Sequence, residues 1–190
     1  MKRYFLIFAV TFFLAPTSSG ASDFSYNFIQ AVFVNSDTDF FGIDIDGDGY
    51  AVGASFELTE NVAFSLGLED YSYDFDFETN GTSFGLDYHT ALSESSDLVL
   101  GFAFLDAEVS QPVLGSEDDS GNVISIGIRN KVSDSAELGF AMSRADIFDD
   151  TSTSYGFEVI MGASEELRFI FGYVSGEDTD AIAVGIRSNF

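Results

Sequence analysis

Tyr50-Ala51-Val52-Gly53-Ala54-Ser55-Phe56-Glu57-Leu58 sets Tyr50, Val52, Ala54, Phe56 and Leu58 on one parity and Ala51, Gly53, Ser55 and Glu57 on the other. A period of two marks a strand whose faces meet different surroundings. The pattern recurs along the chain. Val62, Phe64, Leu66 and Leu68 oppose Ala63, Ser65, Gly67 and Glu69; Phe84, Leu86 and Tyr88 oppose Gly85, Asp87 and His89. Leu98, Leu100, Phe102 and Phe104 oppose Val99, Gly101 and Ala103, and Ile124, Ile126 and Ile128 oppose Ser125, Gly127 and Arg129. Leu138, Phe140 and Met142 oppose Glu137, Gly139 and Ala141; Tyr155, Phe157, Val159 and Met161 oppose Gly156 and Glu158. Leu167, Phe169, Phe171 and Tyr173 against Arg168, Ile170 and Gly172, and Ile182, Val184 and Ile186 against Ala183, Gly185 and Arg187, close the series. With a first strand over 24–34, whose facing the pattern leaves open, the count is ten, with eight as the alternative.

The connections carry orientation. Residues 59–61, 93–96, 133–135 and 163–165 read as tight turns, and 35–48, 73–81, 106–121, 144–152 and 175–179 as mostly longer loops. Short turns at one end and long loops at the other describe a closed antiparallel up-and-down transmembrane β-barrel with periplasmic turns and extracellular loops. A soluble β-sandwich also alternates. Its exposed face, however, is broadly charged, whereas here the face opposite the Phe, Leu and Ile rows is small, with Gly53, Gly67, Gly85, Gly101, Gly127, Gly139, Gly156, Gly172 and Gly185 all on the polar parity. A narrow lumen calls for such residues, because they leave room for a few large polar ones. The apolar rows then face lipid, where closure pairs every backbone group.

The start of the chain fits that destination. Lys2 and Arg3, an apolar run over 4–15 and the small residues Ser19-Gly20-Ala21 predict a secretory signal peptide over 1–21 with cleavage after Ala21, leaving a barrel domain over 22–190. Beyond it the longest uncharged apolar run, 98–105, is far too short for a helical span. The 190 residues contain no cysteine and one histidine, which excludes disulfide scaffolds, thiolate metal sites and thiol catalysis. A formal charge of -25 with seven Lys and Arg leaves no basic face for nucleic acid. Phe occurs 22 times, too much apolar surface for a disordered acidic chain.

The stretches Phe24-Ser25-Tyr26-Asn27-Phe28-Ile29, Asp44-Ile45-Asp46-Gly47-Asp48-Gly49-Tyr50, Leu86-Asp87-Tyr88-His89-Thr90-Ala91-Leu92-Ser93 and Ser96-Asp97-Leu98-Val99 resemble the small outer-membrane barrel proteins of gram-negative bacteria. In particular they are similar to the family containing the outer-membrane protein once proposed as a bacterial activator of rice innate immunity. The resemblance spans the mature chain and rests on turn and strand patterns. It implies residence in the outer membrane, reached through the periplasm, and assigns no functional residue. Phe190, with Ile182, Val184 and Ile186 on its parity, is similar to the terminal signal read by barrel assembly machinery, although Ser188 stands where such signals usually carry an aromatic or apolar residue.

The inward parity collects Glu57, Glu69, Asp87, Glu137 and Glu158 with Arg129, Lys131, Arg168 and Arg187. Buried charges are costly unless paired, so near balance predicts a salt-bridged lumen network that holds the barrel shut. The alternative is a narrow, cation-selective channel, since acids exceed bases. His89 shares a face with Asp87, which raises acid/base chemistry, but it lies toward the turn end with no partner serine or second histidine. A polar lumen residue in a non-enzymatic barrel is the expectation.

Most acids fall in or beside the long loops, where they repel one another and lipopolysaccharide phosphates unless Ca2+ or Mg2+ bridges them. Asp44, Asp46 and Asp48 match the opening of a calcium loop, but Ser55 stands at the twelfth position in place of a bidentate glutamate. A solvated Asp-Gly turn is the preferred reading. Tyr71, Tyr73, Phe75 and Phe77 either lean over the mouth or form an outer surface, depending on whether the strand keeps its parity. The function expected is surface integrity, adhesion or interaction, with outer-membrane lipid, lipopolysaccharide and the assembly machinery as partners.

Overall fold

A computed structural model describes residues 24–39, 44–113, 115–164 and 166–190; the expected signal peptide over 1–21 lies outside the described residues. Ten strands follow in order: β1 (Phe28–Asp39), β2 (Asp44–Thr59), β3 (Val62–Tyr73), β4 (Phe77–Ser93), β5 (Ser96–Gln111), β6 (Gly115–Ser133), β7 (Ala136–Ile147), β8 (Asp150–Gly162), β9 (Leu167–Gly176) and β10 (Thr179–Asn189). Each pairs antiparallel with its sequence neighbours, and β1 pairs with β10 from Phe28↔Asn189 to Thr38↔Thr179, so the sheet closes. Ten strands, not eight, form the barrel. No edge is left to template aggregation.

The parities hold. The outward rows are exposed, among them Tyr50, Phe56, Leu58, Leu68, Phe84, Leu100, Phe104, Ile126, Phe140, Phe157, Phe171 and Val184. Large apolar side chains exposed around the whole circumference are the reverse of a water-soluble protein and fit a lipid-facing band. From Tyr50 to Leu58, at ~3.3 Å per residue and a tilt of about 40°, that band is about 20 Å tall. β1 also acquires a facing: Gln30, Val32, Val34, Ser36 and Thr38 are buried inside, and Ile29 and Phe33 look out.

Two expectations need correction. The long loops are largely zipped into strand: β1 and β2 pair as far as Asp39↔Asp44, and β5 and β6 as far as Gln111↔Gly115. The asymmetry therefore lies in where the apolar band sits. It hugs the tight-turn end, while polar strand extensions carry the ladder beyond it at the other, because a backbone leaving lipid still gains by pairing its hydrogen-bonding groups. The second correction concerns the chain start. β1 begins at Phe28 rather than at 24, and residues 24–27 run outside the ladder.

Inside, two apolar clusters run from the level of the apolar band to the end away from the tight turns. One gathers Val32, Val34, Ile45, Tyr71, Tyr73, Ile170 and neighbouring alanines from the β1–β3 and β9–β10 wall. The other gathers Leu105, Ala107, Val123, Ala145, Ile147 and Phe148 from β5 to β7. Tyr71 and Tyr73 thus keep their parity and fill the lumen, whereas Phe75 turns out with a left-handed φ of 62°. Gly47 and Gly49 make this possible, since a Cβ at either would collide with the Tyr73 and Tyr71 rings respectively.

Candidate functional site

The polar lumen lies toward the tight turns. Glu137 on β7 accepts hydrogen bonds from Arg129 on the preceding strand and, past β8, from Arg168 on β9. Arg187 on β10 donates from Nε to Gln30 Oε1 at 2.8 Å, lies over the Phe28 ring at 4.2 Å, and faces Glu158 Oε2 at 3.7 Å. The last is an ion pair without a hydrogen bond, and Arg187 Nη2 has no hydrogen-bond partner among the described residues. Removing charges from water costs several kcal/mol each, which only mutual pairing offsets. The lattice therefore ties β6, β7 and β9 into one unit and β1, β8 and β10 into another.

The backbone makes room for it. A Cβ on Gly139 would lie 2.8 Å from Glu158 Cγ, and one on Gly101 would lie 2.7 Å from Asp87 Oδ1. The glycines at these lumen positions are thus sockets for neighbouring carboxylates. Other inward glycines abut serine, alanine or backbone atoms of the next strand, so the inward face as a whole has little room for side chains.

Of the lumen residues expected from parity, Asp87, His89, Arg129, Glu137, Glu158 and Arg187 are buried, and Glu57, Glu69, Lys131 and Arg168 are half-buried. The structure joins Arg129, Glu137, Glu158, Arg168 and Arg187. It places Glu69 apart, against the Tyr71 hydroxyl at 3.5 Å, and leaves Asp87 Oδ2 without a hydrogen-bond partner among the described residues. His89 is fully buried, and neither ring nitrogen has a hydrogen-bond partner among the described residues. Its neighbour is the Tyr26 ring, stacked at 3.9 Å. Parity reading missed Asp97, fully buried, which accepts the Tyr26 hydroxyl at 3.1 Å. Asp97 shares the parity of Val99 and Gly101, so extending that strand one step toward its turn finds it. Gln30 and Tyr26 had no such signal, because the facing of β1 was open.

Outside the barrel, the segment matched to a calcium loop is β-strand, neither a chelating loop nor an Asp-Gly turn. Asp44, Asp46 and Asp48 are all exposed on its outer face and point in one row. An EF-type site needs a loop that wraps its ligands around one point, whereas alternate strand residues stand about 6–7 Å apart along the strand. Among the described residues no group of three or more His, Asp or Glu side chains is placed to hold a metal ion. Instead the carboxylates meet like charges across the ladder: Asp37 pairs with Asp46 on one side and Asp180 on the other, and Asp39 with Asp44. Phe190 lies at the turn end, 63% exposed, with its ring 6.0 Å from that of Phe56.

A closed ten-stranded antiparallel barrel with an apolar girdle and a charged, filled interior defines the class of small outer-membrane β-barrels. Solved structures share the fold. The β domain of the Bordetella autotransporter BrkA matches with a TM-score of 0.54 at 9% identity, over 86% of this chain and 99% of that one. The KdgM porin in complex with disordered oligogalacturonate matches at 0.51 and 8% identity, over 86% and 99%. The translocator domain of the autotransporter NalP from Neisseria meningitidis matches at 0.51 and 12%, over 86% and 87%. At these identities the likeness shows the fold alone. No protein-family model matches the sequence, and no curated protein matches it.

Proposed function

We propose that the protein is a non-enzymatic barrel of the bacterial outer membrane, with its tight turns toward the periplasm, that acts through its outer surface rather than by passing solutes. The observation that carries this reading is the filled lumen: the Arg129–Glu137–Arg168 and Arg187–Glu158 pairs stand at one end and the Tyr71–Tyr73 and Ile147–Phe148 clusters at the other. Above the apolar band the outward row is acidic on most strands, with Asp37, Asp46, Asp48, Asp70, Glu78, Asp106, Glu108, Asp118, Asp146 and Asp180 exposed. That position is level with lipopolysaccharide phosphates, and diffuse Ca2+ or Mg2+ bridging makes lipopolysaccharide the natural partner for surface integrity or adhesion. Phe190 is the proposed contact for assembly machinery. The stretches 24–29 and 86–93 support the narrower placement with the family proposed as an activator of rice immunity, a placement that no family model carries.

Single-channel recording in planar bilayers tests the reading, and the expected result is no steady conductance. A narrow cation-selective channel is the second reading, favoured by Glu57, Glu69 and Asp87, acids outside the ion-pair lattice. Steady cation-selective conductance that changes on Arg168→Ala or Glu158→Gln establishes it and overturns the first.

A further inference from the structure

Residues 24–27 lie outside the strand ladder, yet Phe24 is 6% exposed and Tyr26 completely buried. Tyr26 stacks on His89 with ring centroids 3.9 Å apart and planes 17° from parallel, and its hydroxyl donates to Asp97 Oδ2 at 3.1 Å. The Arg129 guanidinium lies 4.8 Å from the centre of the Phe24 ring and 5.8 Å from that of Tyr26. His89, Asp97 and Arg129 belong to β4, β5 and β6, and in the closed order β6 stands diametrically opposite β1. The segment therefore spans the lumen from the wall it enters to the wall across from it. Its near end is fixed at Asn27, whose backbone carbonyl accepts the Phe190 N–H at 3.1 Å and whose side-chain carbonyl accepts the Glu57 N–H at 3.0 Å.

We propose that residues 24–28 form a latch across the turn-side mouth, with Tyr26 seated on His89 and Asp97 to separate the polar floor of the lumen from the aqueous phase. A strand lead-in with no further role would follow its own wall. Here Phe24, Tyr26 and Phe28 share the inward parity, and the first two reach a hydrogen bond, a ring stack and a cation–π contact on the far side. Asp87 Oδ2 and the Ser55 hydroxyl are buried without hydrogen-bond partners among the described residues. Such groups favour solvation, so a device that controls access to them changes what the lumen holds.

The chain has no cysteine, so a single Ser65→Cys reporter is specific. Ser65 is buried on β3, one inward position beyond Ala63, which stands opposite Asp87 in the ladder. The full chain is folded into lipid nanodiscs, which expose both faces, and labelled with a membrane-impermeant maleimide. With Tyr26 present the reporter reacts slowly, and Tyr26→Ala speeds it at least tenfold while the folded barrel still runs as a heat-shifted band, one whose electrophoretic mobility changes on boiling. Equal rates with and without Tyr26, whether both slow or both fast, overturn the latch. Should Tyr26→Ala not give the heat-shifted band, Tyr26→Phe, which removes only the hydrogen bond to Asp97, is judged by the same criterion: faster labelling supports the latch and the parent rate overturns it. Conductance plays no part in this readout, so the latch and the sealed-lumen reading stand or fall separately.

Discussion

Arg187 and Arg168 stand directly opposite each other in the β10–β9 ladder, both facing the lumen. Two guanidinium groups across one rung repel, and like charges in that position are destabilising unless each has a partner elsewhere. Each has its own partners: Arg168 on β9 reaches past β8 to Glu137 on β7, while Arg187 on β10 holds Gln30 and Phe28 on β1 and faces Glu158 on β8. The lumen network is thus two lattices that interleave over β7 to β10, with Arg187 also anchored on β1.

Glu137 is the shared acceptor of the first lattice, so its loss leaves Arg129 and Arg168 without it at once. Breaking a buried pair by removing one partner costs about 3–5 kcal/mol. Glu137→Ala is expected to lower the urea midpoint for unfolding from lipid vesicles accordingly. The double variant with Arg168→Ala should recover part of the loss; independent, additive effects in that cycle would show that the two groups are not coupled.

Gly139 holds the socket for Glu158. Gly139→Leu forces that carboxylate away from Arg187, and overpacking of this kind costs about 1–3 kcal/mol. Gly115, with nothing within 4 Å of a built Cβ but a φ of +89°, is the control in which only the backbone conformation resists substitution. Gly115→Ala should therefore leave the Arg187–Glu158 lattice intact, and the temperature at which the heat-shifted band is lost should fall further for Gly139→Leu.

The acidic outer rungs carry a cost that salt relieves. Asp37 sits between Asp46 and Asp180, and like charges directly opposite each other in a ladder are destabilising. Asp37→Asn should stabilise the barrel at low ionic strength, and the gain should shrink toward zero near 1 M salt, where the Debye length is about 3 Å. A gain that salt does not change would point to a local packing effect instead.

Ile126 lies in the middle of the apolar band and is 49% exposed on its outer face. An arginine there meets hydrocarbon, at a cost of about 2–4 kcal/mol near the midplane. Phe75, 66% exposed at the tip between β3 and β4, is the matched control. Ile126→Arg should weaken folding into lipid vesicles by that amount and Phe75→Arg by little; equal effects would misplace the band.

Period-two alternation made the barrel legible because each strand residue must choose between lipid and lumen, and a small face opposite a large apolar one excludes a sandwich. Glycine parity went further, since the sockets at Gly101 and Gly139 are visible as glycines before the carboxylates that fill them are known. Loop extents were not legible. Pairing beyond the membrane, as in Asp39↔Asp44, depends on a backbone ladder that polar and acidic residues neither favour nor forbid. The Asp44–Asp46–Asp48 spacing could not reveal a strand for the same reason: alternate carboxylates belong equally to a calcium loop and to one face of a strand.

The sequence by itself determined the fold class, the lipid face and most of the charged residues of the lumen, because these depend on a local period and on the surroundings each parity must meet, whereas ten strands rather than eight rests on the closed ladder. Only the tertiary structure decided which lumen charges find each other and that Tyr26 crosses to Asp97, 71 residues along the chain. Such contacts depend on closure, since joining β1 to β10 brings walls distant in sequence to face one another, and no local period records what stands on the far side.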